Sequence, residues 1–182
     1  KRGLDCETSV PVVYDAYTSK HTVDIYRDTG VMTAVELESR KEVFWETYCK
    51  KVAIEGRVLS DLTTNHVIPV AIRYQNMLLE NVRNLKEIYG AEKDFKKLSA
   101  SQIDLIRCIA DDIAAAESQV DKLDALDVKL TAQPASRKSA VDYHDKMIPM
   151  LEEIRKHVDS LEMMIDDQMW PLPKYRELLF IH

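Results

Sequence analysis

Five histidines, three cysteines and 31 acidic side chains are the residues of this 182-residue chain that could ligate a metal or carry protons. In a helical protein the demanding arrangement is a carboxylate-bridged metal pair, which requires Glu-x-x-His on two helices. His21, His66, His144, His157 and His182 all lack a glutamate three residues earlier, so that ligand spacing is missing. Glu153 and His157 lie one helical turn apart and could share an ion, but on a solvated face such a pair reads as a weak ion pair. His144 falls on an apolar stripe and reads as a hydrogen-bonded interior histidine. Cys6, Cys49 and Cys108 are an odd number at wide separation without a CxxC. They suit neither a disulfide framework nor a zinc knuckle, and read as small packing groups in a reducing cytoplasm. There is no glycine-rich phosphate loop, no Gly-x-Ser-x-Gly and no His-Glu-x-x-His. The residues therefore assemble no catalytic, cofactor-binding or metal-binding constellation.

Asn65-His66 precedes Pro69, and a proline inside a helix frees a carbonyl that a polar neighbour can use. Asn65 or water is expected to satisfy it. Arg57, Asp61 and Arg73 flank the region and suit surface ion pairs worth a few tenths of a kcal/mol, not a pocket.

The elements that would position these side chains are helices. Hydrophobic residues make up 46% and charged residues 31%, with four glycines and six prolines, a helical composition with room for one compact core. The formal charge of −6, with basic residues interleaved among acids, disfavours nucleic acid as a partner. No run of about eighteen apolar residues offers a membrane span. Lys1 to Tyr17 reads as an irregular lead-in resembling a severed connection, and without an initiating methionine the chain is expected to be a fragment.

Thr18 or Ser19 can cap a short helix to Thr29, ended by a left-handed Gly30. Thr33-Ala34-Val35-Glu36 has capping-box spacing. From Ala34 no turn signal occurs before Tyr89-Gly90, a helical path of roughly 84 Å. Gly56 costs it about 1 kcal/mol, and Pro69 about 3 kcal/mol with a kink near Asn65 to Pro69. Phe44, Tyr48, Val52, Leu59 and Leu62 form its apolar stripe before the kink, and Ile72, Leu78, Val82, Leu85 and Tyr89 after it.

Ser99-Ala100-Ser101-Gln102 is expected to open the next helix. Its seam is Ile106, Ile109, Ile113, Ala116, Val120, Leu123 and Leu130, with Asp127 the polar intruder. A third long helix begins near Ser136, with Ala140, His144, Met147, Leu151, Ile154, Val158, Leu161 and Ile165 on its seam and Pro149 bending it. The fold expected is all-α: long kinked helices in an elongated antiparallel bundle with coiled-coil-like seams. Trp170-Pro171-Leu172-Pro173 then stops the pattern. Trp170, Leu172, Tyr175, Leu178, Leu179 and Phe180 carry enough apolar area to require a docked ending. Pro69, Trp170, Pro171, Pro173, Tyr175 and Phe180 are the candidate structural or interaction residues.

Three segments resemble one family. They are His21 to Tyr48 with Gly30-Val31-Met32-Thr33 and Glu38-Ser39-Arg40; Ile54-Glu55-Gly56-Arg57 through Val67-Ile68-Pro69-Val70-Ala71-Ile72-Arg73-Tyr74-Gln75; and Asp166 to Phe180 with Trp-Pro-Leu-Pro-Lys-Tyr. Together they look like the C-terminal part of a type III glutamine synthetase, apart from Gly56, where a better helix former would be usual. The resemblance implies a parent enzyme that joins ammonia to glutamate with ATP and Mg or Mn, assembled in stacked hexameric rings. It also implies that the family's metal-binding glutamates and substrate-binding arginines lie upstream, so that none transfers to these positions. Residues 1–32 would then be the tail end of the catalytic fold and 33–182 a helical extension. The expected role is a non-catalytic assembly or regulatory domain in the cytoplasm. Its partners would be the upstream catalytic domain and other subunits of a homo-oligomer. The rival readings are a free-standing helical scaffold or adaptor for a protein partner, and a helical-bundle metalloenzyme.

Overall fold

Residues 7–90 and 93–179 are described by a computed structural model, Lys93, Tyr175 and Arg176 by their backbone alone. Among the described residues every regular element is helical. α1 (Val10–Val13) runs into a 3-10 turn at Tyr14–Thr18, followed by α2 (Lys20–Asp28) and α3 (Ala34–Leu62). A π-helical turn, Thr63–Val67, connects α3 to α4 (Ile68–Tyr89). After α5 (Lys93–Thr131) come α6 (Arg137–Asp142), a second π turn at Tyr143–Met147, α7 (Ile148–Met164) and the short α8 (Tyr175–Leu178). No helix of the described residues is long and apolar enough to cross a membrane.

Local chemistry fixes several boundaries. The Thr22 amide donates to Ser19 Oγ at 3.3 Å, capping α2, and Gly30 ends the turn that follows at φ 66°, a left-handed conformation that suits glycine. At α3 the Thr33 amide donates to Glu36 Oε2 at 2.7 Å, and the Glu36 amide donates to Thr33 Oγ1 at 3.3 Å. That backbone donor, then the Thr33 hydroxyl, holds the Glu36 carboxyl below its ordinary value. Its contribution is present at neutral pH and is lost as the pH falls through the lowered value. Ser136 caps α6 with Ser139 as its reciprocal partner, a serine in the place where glutamate or glutamine is usual.

Two boundaries differ from expectation. α5 begins at Lys93, six residues before the Ser99 box. Ser99 is buried within it and donates to the Phe95 carbonyl at 2.7 Å, while Gln102 accepts from Asn81 at 2.7 Å, so neither serves as a cap. The expected irregular lead-in also carries regular structure, α1 and the 3-10 turn. The Trp45 indole donates to the Pro11 carbonyl at 2.9 Å, and Tyr14 and Tyr17 pack on Phe44 with ring centres 5.2 and 5.0 Å apart. Lys41 lies over the Trp45 ring and donates to Thr18 Oγ1 at 3.0 Å. Asp15 pairs with Arg137 at 2.7 Å.

Each internal proline follows a π turn. Ile68 donates to Thr63 O and Ile148 to Tyr143 O, five residues back, just ahead of Pro69 and Pro149. Widening the helix there relieves the clash between the proline ring and the carbonyl four residues earlier, and lets helical backbone continue on both sides. Asn65 does not serve the freed carbonyl: its amide donates to Asp61 Oδ1 at 2.6 Å.

The described chain divides into two compact units in place of the single core expected. One takes the chain up to Val58 with Leu123–Leu151, the other Leu59–Lys122 with residues from Glu152 on. Apolar stripes on helices this long run past any one cluster, so α3, α5 and α7 each contribute to both units. The first core gathers Leu37, Trp45, Cys49, Val52 and Ala53 with Leu123, Leu130, Ala140, Tyr143, Met147 and Leu151. The α3 stripe is thus rotated from the expected one, sharing Val52, while Phe44 and Tyr48 are half-buried on its flank. The second core gathers Val67, Ile68, Val70 and Ala71 with Ile109, Ile113, Ala116, Val120, Ile154, Val158, Leu161, Ile165 and Trp170. The α5 and α7 seams are buried nearly as their spacing predicts, whereas Ile72 and Tyr89 on α4 are exposed.

Gly56 is buried, and a Cβ there would lie 2.8 Å from Met147 Cε and 3.8 Å from Leu151 Cδ2. The glycine lets α3 approach this pair. Gly56→Leu is expected to destabilise the chain by about 1–3 kcal/mol through overpacking, read as a lower urea midpoint at unchanged slope. Trp45→Phe, which keeps an aromatic ring but removes the indole N–H and orphans the Pro11 carbonyl, should cost at least about 1 kcal/mol and speed proteolysis ahead of Ser19.

Candidate functional site

The first unit contains a cavity of about 360 Å³ with predominantly apolar walls. α3 supplies one wall from Glu46, Cys49, Lys50, Ala53, Ile54 and Arg57, whose three- and four-residue spacings place them on one face. Leu130 and Thr131 at the end of α5, Ser139 of α6 and Tyr143 of the second π turn close the other side.

Its polar wall is a connected network. Arg57 Nε donates to Asp127 Oδ2 at 2.8 Å and Nη2 to Thr131 Oγ1 at 3.1 Å. Thr131 donates to Asp127 Oδ1 at 3.2 Å, which makes the Tyr143 hydroxyl, 3.4 Å from Thr131 Oγ1, the donor in that contact. The hydrogen bond to Asp127, then its charge, raises the Arg57 guanidinium above its ordinary value. Asp127, the polar intruder of the α5 seam, is buried because Arg57 and Thr131 satisfy both its oxygens. Cys49 lies on the cavity floor, 3.8 Å from Ser139 Oγ. Burial pushes its thiol up, with the Ser139 hydrogen bond opposing, so Cys49 is a thiol at neutral pH and a poor nucleophile. Cys108, expected as a packing group, is exposed, and Cys6 lies outside the described residues.

The second unit holds a Ser, Asp and His cluster. Asp112 is 2.8 Å from His157 Nδ1 and accepts from Ser160 Oγ at 2.7 Å. In a hydrolytic triad the imidazole stands between acid and hydroxyl to take the hydroxyl proton. Here the carboxylate stands in the middle, so His157 does not activate Ser160. The expected Glu153 and His157 ion pair is replaced: Glu153 takes Lys156, whose hydrogen bond lowers the Glu153 carboxyl. His144 is half-buried with Nδ1 2.9 Å from Asp145 Oδ1, and its neighbour Tyr143 takes the interior position. Among the described residues no three His, Cys, Asp or Glu side chains converge as metal ligands.

Of the candidate interaction residues, Pro69 is exposed behind the first π turn, and Trp170 is buried, its amide donating to the Asp166 carbonyl at 3.1 Å. Pro171 and Pro173 are exposed and Leu172 half-buried. Tyr175 opens α8; its side chain, and Phe180, lie outside the described residues. Leu178 and Leu179, expected to be buried, are 68% and 73% exposed. Lys174 is the attachment that sequence reasoning missed: its ammonium donates to the Glu162 carbonyl at 3.1 Å and to Asp167. A lysine after two prolines carries no local signal for such a reach.

Removing Arg57 leaves Asp127 buried without its charge partner, whereas a leucine at position 127 completes the seam. Arg57→Ala should therefore lose about 1 kcal/mol, discounted for the exposure of the guanidinium, while Asp127→Leu stays within about 1 kcal/mol of the parent, by urea titration.

The family model described as "Glutamine synthetase C-terminal domain" matches residues 1–86. A glutamine synthetase of Bacteroides fragilis (strain YCH46) is 39% identical over 180 residues, covering 99% of this chain and 25% of that protein. A type-3 glutamine synthetase of Dictyostelium discoideum is 30% identical over 181 residues, covering 99% and 24% respectively. A glutamine synthetase of Butyrivibrio fibrisolvens is 23% identical over 189 residues, with 99% and 25% covered. The chain spans about a quarter of the length of these curated relatives. With its helical fold and near-complete alignment to such proteins, the chain belongs to the glutamine synthetase family as a C-terminal domain.

Proposed function

We propose that this chain is a non-catalytic assembly or regulatory domain of a glutamine synthetase. The parent reaction, ATP-dependent ligation of ammonia to glutamate with Mg or Mn, would be carried by residues elsewhere in the enzyme, in the cytoplasm. Residues 1–32 would be the tail of the catalytic fold and 33–182 the extension. The observation that carries the reading is the use of the polar groups. Arg57, Asp127, Thr131 and Tyr143 are committed to one another, Cys49 is protonated, and Asp112 separates His157 from Ser160. These groups hold helices together and offer no reacting pair.

Association is supported by apolar side chains left on the surface. Val35, Val43, Ile54 and Val58 on α3 are each at least half exposed, as are Met163, Leu178 and Leu179. The partners would be the catalytic domain and other subunits of a homo-oligomer, with Pro69, Trp170, Pro171, Pro173, Tyr175 and Phe180 shaping the contacts. Val35→Glu with Val43→Glu in the complete synthetase should leave folding intact and shift mass photometry toward smaller species. Unchanged particles would overturn the assembly role. Glutamine formation by the 182-residue chain given glutamate, ammonia, ATP and Mg would overturn the non-catalytic one.

A further inference from the structure

The cavity of the first unit has a property that helix packing does not require. Its floor is apolar, with Ala53, Leu130 and Tyr143 all buried, yet its mouth is lined by donors in excess of acceptors. Both oxygens of Asp127 are taken, by Arg57 and Thr131. Arg57 has five N–H groups, of which Nε–H and one on Nη2 are directed to these partners, and its side chain is 55% exposed. Lys50 pairs with Glu46 one turn earlier at 2.6 Å, but the Lys50 side chain is largely in solvent and an exposed pair is weak, so Lys50 is readily drawn to a second partner. Glu46 is the one carboxylate of the lining with an oxygen to spare. A cavity of about 360 Å³ is of the size that encloses small molecules, which fill it with an apolar body and are oriented by a few polar groups.

We propose that this cavity binds a small amphipathic anion, its apolar body over Ala53, Leu130 and Tyr143 and its acidic group at Arg57 and Lys50. The site lies within one unit and requires no second subunit, and it shares Ile54 at its mouth with the exposed apolar face of α3. A ligand seated there covers the Cys49 thiol, which makes occupancy measurable on the unaltered protein, with the exposed Cys108 as internal reference.

The test uses 8-anilinonaphthalene-1-sulfonate as the anionic probe and N-phenyl-1-naphthylamine, the same ring system without the sulfonate, as its neutral counterpart. Cys49 and Cys108 labelling by methyl methanethiosulfonate is followed by peptide mass spectrometry, and probe affinity by fluorescence titration. The expected result is one saturable site, Cys49 labelling slowed severalfold with Cys108 unchanged, and the sulfonate bound about tenfold more tightly than the neutral probe. Lys50→Gln with Arg57→Gln should abolish that preference, and Ile54→Trp at the mouth should weaken both probes, urea melts reporting that each variant folds. An unchanged Cys49 rate at saturating probe would overturn the site. Equal affinity for the two probes would overturn the anionic ligand and leave only an apolar surface.

Discussion

A proline inside a helix has no N–H to give and a ring that collides with the carbonyl one turn back, and this chain meets that constraint twice. At Pro149 the backbone answers with a π turn over Tyr143–Met147. The turn accommodates an extra residue, so the side chains ahead of it shift around the axis relative to an unbroken 3.6-residue pattern. His144, which regular spacing would bury, faces outward beside Asp145, and Tyr143 turns in. Met147 remains interior, against Gly56. The cavity wall, the contact of the Tyr143 hydroxyl with Thr131, and the close approach of α3 are all consequences of how one missing N–H is absorbed.

The buried polar groups obey the same economy of partners. Asp127 would be costly on an apolar seam if left alone, but it receives a guanidinium and a hydroxyl, and the hydroxyl in turn takes the tyrosine. Lys41 is buried for a different reason. Its ammonium lies over the Trp45 ring and reaches Thr18 and Glu38, and so a charged residue occupies an interior stripe without an unpaired charge. These arrangements tie the segment ahead of α2 and the end of α5 to α3.

How much was legible follows from the range of each interaction. The seams of α5 and α7 could be read because a three-and-four repeat is a local property, and Ile109 through Leu123 and Leu151 through Ile165 are buried on that repeat. The Thr33 and Glu36 box and the Ser19 and Ser136 caps are likewise contained within one turn. The α3 stripe was misplaced because its interior members include Lys41, Cys49 and Gly56, which hydrophobic spacing does not select. Ser99 shows the converse failure: a sequence with the form of a cap sits inside a helix because α5 starts one and a half turns earlier. Arg57 with Asp127, His157 with Asp112 and Lys174 with Glu162 join residues distant in sequence or reach a backbone carbonyl, and no single-sequence pattern marks such partners.

The two π turns were not foreseen, yet a local signal for them exists. Val67-Ile68-Pro69-Val70 and Met147-Ile148-Pro149-Met150 share a bulky residue, isoleucine, proline and a second bulky residue, and each π turn ends at the first of the four. Apolar side chains on both sides of the proline keep the helix packed, so the chain gains more by widening one turn than by ending the helix. Reading those prolines as points where the buried face is re-registered, instead of as simple bends, places Tyr143 inside. From Tyr143 inside, the Thr131 and Asp127 network follows, and with it a concave apolar wall that α3 shares with α5 and α6.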